Sequence, residues 1–275
     1  MSLNLEQDYI FTNTTADSEL VRLQLIEEIF DPATFAQLKK MGLSQGNTCL
    51  EVGAGAGSVM RWICDRVGET GQVVAVDLDP RFISGTELPN LEIRQGDICA
   101  MDLEPNRYDL IHLRYVLVHV QDYNKAIANL VQALKPGGKI LIEEPDFLDQ
   151  APAAVEDASK FAVMDRMFKG VLKLHQVLQV NSAIARQMPS LLQQHGLQNV
   201  SAAAAQKLAP GGSKMARMMK MSLSHIAEKL IKAGTVSAQD VEIFLQEQDN
   251  PRTWVLYYST IAAWGTKGAL KPNAR

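Results

Sequence analysis

Residues 48–57 read Thr-Cys-Leu-Glu-Val-Gly-Ala-Gly-Ala-Gly, and this stretch constrains the fold more than any other part of the chain. A short apolar run, Thr48 to Val52, ends in glycines at alternate positions. A segment of helical period follows, with Val59, Ile63 and Val67 inward and Arg61, Asp65 and Arg66 outward. A strand that enters a helix through glycines leaves its backbone open to a ligand, and the helix N-terminus offers unpaired N–H groups. The plainer reading is a tight strand-to-helix turn with no ligand. Against it stands Asp77, twenty residues past Gly57 at the end of the apolar run Gln72 to Val76. A carboxylate there can accept hydrogen bonds from ribose hydroxyls.

The alternation continues. Leu91 to Arg94, Leu110 to Leu113 and Ile140 to Ile142 read as strands, Tyr123 to Leu134 as a helix, and Lys135-Pro136-Gly137-Gly138 as a turn. Strands and helices in this order predict an α/β fold with a doubly wound, mostly parallel sheet. Before it, Ser18 to Phe30 predicts one helix, and Asp31-Pro32 restarts a second that stops at Gly42. After Glu144 helices take over: Ala153 to Val180, Ser182 to His195, the Met-rich Lys214 to Lys232, and one capped by Ser237. Leu197 to Leu208 and Thr253 to Thr266 read as strands. The expected organisation is a single domain over 1–275. Its core takes in 31–150, 197–208 and 252–267, and a helical cap takes in 1–30, 151–196 and 209–251.

Composition excludes several function classes. A net charge of −4 with scattered basic residues argues against a nucleic-acid partner. Cys49, Cys64 and Cys99 form no metal or disulfide pattern and read as buried thiols of a cytoplasmic protein. Met1 to Glu6 lacks the features of a signal peptide, and the apolar stretch Trp254 to Trp264 is too short to span a bilayer, so no membrane partner is expected.

Which nucleotide-like ligand fits the loop follows from what is missing. The dinucleotide fingerprint needs a glycine where Ser58 or Met60 stands. Glu51, two residues before Gly53, would repel a phosphate but would attract an ammonium. The loop therefore favours S-adenosylmethionine, whose amino-acid end replaces a pyrophosphate. Taken with Val74-Ala75-Val76-Asp77, Gly96-Asp97-Ile98, Tyr108-Asp109-Leu110-Ile111 and Leu134-Lys135-Pro136-Gly137-Gly138-Lys139-Ile140, it resembles the class I S-adenosylmethionine-dependent methyltransferases, in a small-molecule subgroup. The resemblance implies a Rossmann-like sheet with a sixth strand and an antiparallel last strand. It implies Glu51, Gly53, Ala54 and Gly55 around the methionine part, with Arg114 beside it and Tyr9 as a lid contact. It further implies Asp77 at the ribose and Leu78, Asp97 and Ile98 at the adenine, with S-adenosylhomocysteine as product. One departure is the segment 79–90, where Pro80, Gly85 and Pro89 leave room for little more than a turn in place of the family's helix.

The acceptor is expected to be a small, apolar molecule. His175, on the apolar stripe of a cap helix, is either a core histidine or a base; His119, after the fourth strand, is either structural or catalytic. Tyr115, Glu144, Asp146 and Met218 are candidate acceptor contacts, with solvated carboxylates and plain helix packing as the alternatives. His112 and His225 carry no signal. A homodimer stays open. So do a protein that binds S-adenosylmethionine without transferring methyl and, more remotely, a nicotinamide-dependent oxidoreductase.

Overall fold

The computed structural model describes residues 16–269. Seven helices lie among them: α1 (Ala16–Lys40), α2 (Ser58–Val67), α3 (Tyr123–Ala133), α4 (Ala158–Val177), α5 (Ile184–Gln194), α6 (Lys214–Lys232) and α7 (Ala238–Glu247). Eight strands accompany them: β1 (Thr48–Val52), β2 (Gln72–Asp77), β3 (Leu91–Gln95), β4 (Tyr108–Arg114), β5 (Leu134–Asp146), β6 (Ala151–Ala154), β7 (Leu197–Pro210) and β8 (Trp254–Lys267).

All eight strands join one sheet in the order β3-β2-β1-β4-β5-β8-β6, with β7 also paired to β8. β1 pairs in parallel with β2 and β4, β2 with β3, and β4 with β5, while β6 and β8 are antiparallel. The fold is thus the expected mixed α/β sheet with helices. Strand order reverses at β1, whose chain goes on to β2 on one side while β4 flanks the other. In such sheets the crevice for a ligand opens beyond the carboxyl ends of the two strands at the reversal.

The described chain divides into two compact units. One comprises 30–144, 185–204 and 261–269; the other comprises 16–29, 145–184 and 205–260. In the first, alternation along the strands puts Cys49 and Glu51, Val73 and Ala75, Leu110, His112 and Arg114, and Leu141 and Glu143 on one face of the sheet. Its apolar members form a core with Leu38 of α1, Met41 just after it, and Val59, Met60, Ile63 and Val67 of α2. The second unit buries Met164, Phe168 and Leu174 of α4, Met215, Met218 and Met219 of α6, and Phe244 of α7, with Phe168 and Phe244 meeting edge to face. The helix stripe and the Met-rich run supply these residues, and all three named methionines of α6 are core.

Four local expectations differ from the structure. The two N-terminal helices are one, because Asp31 does not cap a new start: its carboxylate accepts from Arg114, and α1 runs on through Pro32. Residues 151–154, expected as loop and helix start, form β6, where Pro152 is tolerated because it pairs with β8 alone. The Lys-Pro-Gly-Gly turn lies inside β5 as a bulge: Tyr108 pairs with Leu134, and two residues later Leu110 pairs with Lys139. Cys99 is only partly buried, unlike Cys49 and Cys64. Between β2 and β3 there is indeed no α-helix, only a 3-10 turn over Pro80–Phe82.

Candidate functional site at the carboxyl ends of β1, β2 and β4

The glycine loop leaves β1 at Gly53, whose N–H donates to the carbonyl of Val76 at 2.7 Å. Gly53, Gly55 and Gly57 all have positive φ, at 70°, 56° and 91°. At Gly53 the requirement is also steric, since a Cβ there would lie 2.4 Å from Cγ2 of Val116 in the segment after β4. The two chain segments that rim the reversal point therefore touch, and only a residue without a side chain permits it. Gly57 is the N-cap of α2 with no side-chain cap, as suits a helix start whose N–H groups face a ligand.

Asp77 closes the other side. Its Oδ2 accepts from the N–H of Gly55 at 3.1 Å and its Oδ1 from the N–H of Asp79 at 2.9 Å. Each oxygen keeps acceptor capacity beyond these bonds. Burial raises its pKa, against the pull of those N–H groups. Leu78, next in the chain, is 63% exposed, an unusual place for a leucine and a flat apolar surface beside Asp77. The N–H of Gly96 donates to the carbonyl of Asp77, which brings the exposed Asp97 and the buried Ile98 to the same end of the sheet. Ala54 is buried within the loop.

Glu51 is almost fully buried, and its Oε2 meets Nδ1 of His112 at 2.7 Å. On the far side of the ring, Nε2 of His112 meets Oε2 of Glu143 at 3.1 Å. Glu143 also accepts from the Thr34 hydroxyl, which in turn accepts from Nη1 of Arg114 at 3.0 Å. Nη2 of Arg114 reaches Asp31 at 2.8 Å. A continuous polar chain thus crosses the covered face of the sheet from β1 to α1. Glu51 and Arg114 stand out in the sequence as site residues, whereas Asp31 reads there only as a helix start, His112 carries no signal, and Glu143 and Thr34 draw no notice. The usable signal was charge inside apolar strands: Leu-Ile-His-Leu-Arg and Leu-Ile-Glu-Glu each bury polar groups that need partners. Arg114 is accordingly engaged by α1, through both of the bonds named.

The acceptor candidates are less concentrated. Tyr115 has φ 59° and packs edge to face on Phe30, with ring centroids 5.3 Å apart. His119 is exposed in the 3-10 turn Leu117–His119 that follows it. Glu144 is no solvated loop carboxylate: it is fully buried and accepts from the N–H groups of Val116, Leu117 and Val118. Burial raises it to about 7 in spite of those three bonds. In the other unit, Asp146 is buried and accepts from the N–H of Leu148. His175 bonds Ser182 at 2.8 Å, and Phe147 packs edge to face on both His175 and Tyr258. Burial lowers His175 to about 4. The Met218 sulfur approaches the Tyr258 hydroxyl at 3.9 Å. Tyr9 lies outside the described residues. Among those residues no His, Cys, Asp and Glu cluster could hold a metal ion, and no helix is long and apolar enough to cross a membrane.

Comparison with known proteins places this arrangement. A family model described as a methyltransferase domain matches residues 22–202. Over 114 residues the chain is 28% identical to a demethylmenaquinone methyltransferase of Oceanobacillus iheyensis, covering 39% of this chain and 48% of that protein. Over 111 residues it is 32% identical to a ubiquinone/menaquinone biosynthesis C-methyltransferase of Escherichia coli, covering 38% and 44%. The chain spans about half the length of the curated relatives it matches. Among solved structures, a phosphoethanolamine N-methyltransferase of Haemonchus contortus in complex with S-adenosyl-L-methionine shares the fold, with TM-score 0.59, 17% identity, and coverage of 96% of this chain and 60% of that one. The YcgJ protein of Bacillus subtilis does so with TM-score 0.54, 18% identity, and coverage of 86% and 97%. With two-thirds of its length matched by that family model, and with this sheet and glycine loop, the chain belongs to the methyltransferase-domain family, among the class I S-adenosylmethionine-dependent enzymes that its motifs resemble.

Proposed function

We propose that the chain transfers a methyl group from S-adenosylmethionine to a small, apolar organic acceptor. The observation that carries this reading is the loop from Gly53 to Gly57, bare of side chains where it meets Val116 and tied by Gly55 to the carboxylate of Asp77. An open backbone, a buried carboxylate on the β1 side and an acidic side chain at the end of β2 fit the ammonium, carboxylate and ribose of such a cofactor. When bound, S-adenosylmethionine supplies an electrophilic methyl on a positively charged sulfur.

The chain's own residues then have distinct tasks. Glu51 offers negative charge to the amino-acid end, with the backbone of Gly53, Ala54 and Gly55 around it. Asp77 accepts from the ribose, and Leu78, Asp97 and Ile98 flank the adenine. Glu144 holds the segment 116–118 in position by its three N–H bonds, and through Val116 it fixes the wall opposite Gly53. In-line displacement asks the protein mainly for alignment. A histidine near 4 is neutral at physiological pH but a weak base, so His175 reads as a packed core residue. His119 is the candidate that stands after β4. An apolar acceptor agrees with two curated relatives that are named for quinone methylation.

Parallel calorimetric titrations with S-adenosylmethionine, S-adenosylhomocysteine and NAD test the reading. Micromolar binding of both sulfur ligands and none of NAD is the expected result. Binding of NAD alone would overturn it. A panel of quinols and phenols, read by S-adenosylhomocysteine formation, then tests the acceptor class.

A further inference from the structure

The polar chain across the sheet face has an uneven charge balance. Three carboxylates, Glu51, Glu143 and Asp31, face two cations, His112 and Arg114. Arg114 serves Asp31 and, through Thr34, Glu143. Among the described residues the group bonded to Glu51 is the His112 ring, which bridges it to Glu143. With all five groups ionised, the network would carry one negative charge in excess, beneath a loop suited to a cationic headgroup.

Building on the cofactor reading above, we propose that His112 is a positioning residue: clamped between Glu51 and Glu143, it keeps the Glu51 carboxylate in place and charged, and thereby sets how tightly the loop takes the ammonium-bearing end of its cofactor. The geometry is specific. Glu51 and His112 are register partners on adjacent parallel strands, and Arg114 and Glu143 are partners two residues further along the next pair, so all four side chains stand on one face of the sheet in two neighbouring rows. His112 is fully buried and cannot turn to water for a substitute bond. The groups facing it are Glu51 from β1, Glu143 from β5, and Arg114 from its own strand; Thr34 and Asp31 reach these rows from α1. Cys49 stands below Glu51, a thiol that burial keeps protonated. Glu144 belongs to the opposite face of β5.

Charge follows from this placement. Burial pulls the imidazole down, but the charge of Glu51 and the bonds to both carboxylates outweigh it, and His112 titrates at about 9. Burial leaves Glu51 above the ordinary glutamate value, and His112 is the chief influence against that rise. Without the imidazolium the upward push of burial on Glu51 loses its main counterweight, and a protonated Glu51 has no attraction for an ammonium.

The test compares two ligands on His112→Gln and Glu143→Gln. S-Adenosylhomocysteine carries the amino-acid end and 5′-methylthioadenosine lacks it. For His112→Gln at pH 7.5, calorimetry should show a roughly ten-fold or larger loss for the first and less than about two-fold change for the second. Glu143→Gln should fall between. An equal loss for both ligands would mean general structural damage and overturn the proposal. So would unchanged binding of both. Should His112→Gln fail to fold, the unaltered chain with 15N-labelled histidine decides: the His112 nitrogens should remain those of an imidazolium up to about pH 9, and titration near the ordinary histidine value would overturn the proposal. If the unaltered chain takes neither ligand, the cofactor reading falls first and this one with it. If it takes both and only the variants behave alike, this proposal falls alone.

Discussion

At Gly53 one missing side chain decides whether two loops can meet. Gly53→Ala would set a Cβ 2.4 Å from Val116 at a φ of 70°. Strain of about 1–2 kcal/mol and a displaced Val116 should follow. The expected result is at least ten-fold weaker S-adenosylmethionine binding by calorimetry, with most of the thermal stability kept. Asp77→Ala removes two loop bonds and, with them, the acceptor proposed for the ribose. It should weaken S-adenosylmethionine by about 1–3 kcal/mol, and unchanged affinity would count against the ribose assignment. Glycines and Asp77 were legible in the sequence because a glycine needs no partner to announce an unusual backbone. His112 was not: a lone histidine in a strand says nothing until its neighbours are known.

Strand β5 shows what an element adds. Read locally, Glu144 is an acid following an apolar run, but the strand extends to Asp146 and carries Glu144 into the interior. There its two oxygens serve three backbone N–H groups of the segment after β4. Glu144→Ala would leave those donors buried and unpaired. Roughly 3 kcal/mol of stability should be lost in urea unfolding, while an effect below about 1 kcal/mol would show that water replaces the carboxylate. Helix α1 teaches the same lesson in reverse. Asp31-Pro32 has the chemistry of a helix start, but Arg114 lies 83 residues away in sequence and takes the carboxylate that would have capped it. A distant ion pair overrode a local signal.

Over the whole molecule the pH dependence of stability joins groups from both units. His175, lowered to about 4 by burial, contributes stability that is complete above the unfolded value of about 6.5 and is lost as pH falls towards 4, about 3 kcal/mol in all. His112, raised to about 9, contributes stability that is complete below about 6.5 and is lost as pH rises through 9. Glu144, raised to about 7, likewise loses its share between the ordinary glutamate value and 7. Thermal unfolding should therefore be most resistant from about pH 5 to 6.5 and weaken steadily above it. His112→Asn should flatten the alkaline decline, and His175→Asn should move the optimum towards acid. The alternation of strands and helices, the glycine loop, Asp77 and the apolar helix faces were determined by the sequence alone, because period and backbone permissiveness are local properties. Only the tertiary structure decided which charges meet on one face of the sheet. Glu51, His112 and Glu143 come from three strands, and parallel register, set by packing between residues far apart in the chain, turned three separate polar residues into one buried network.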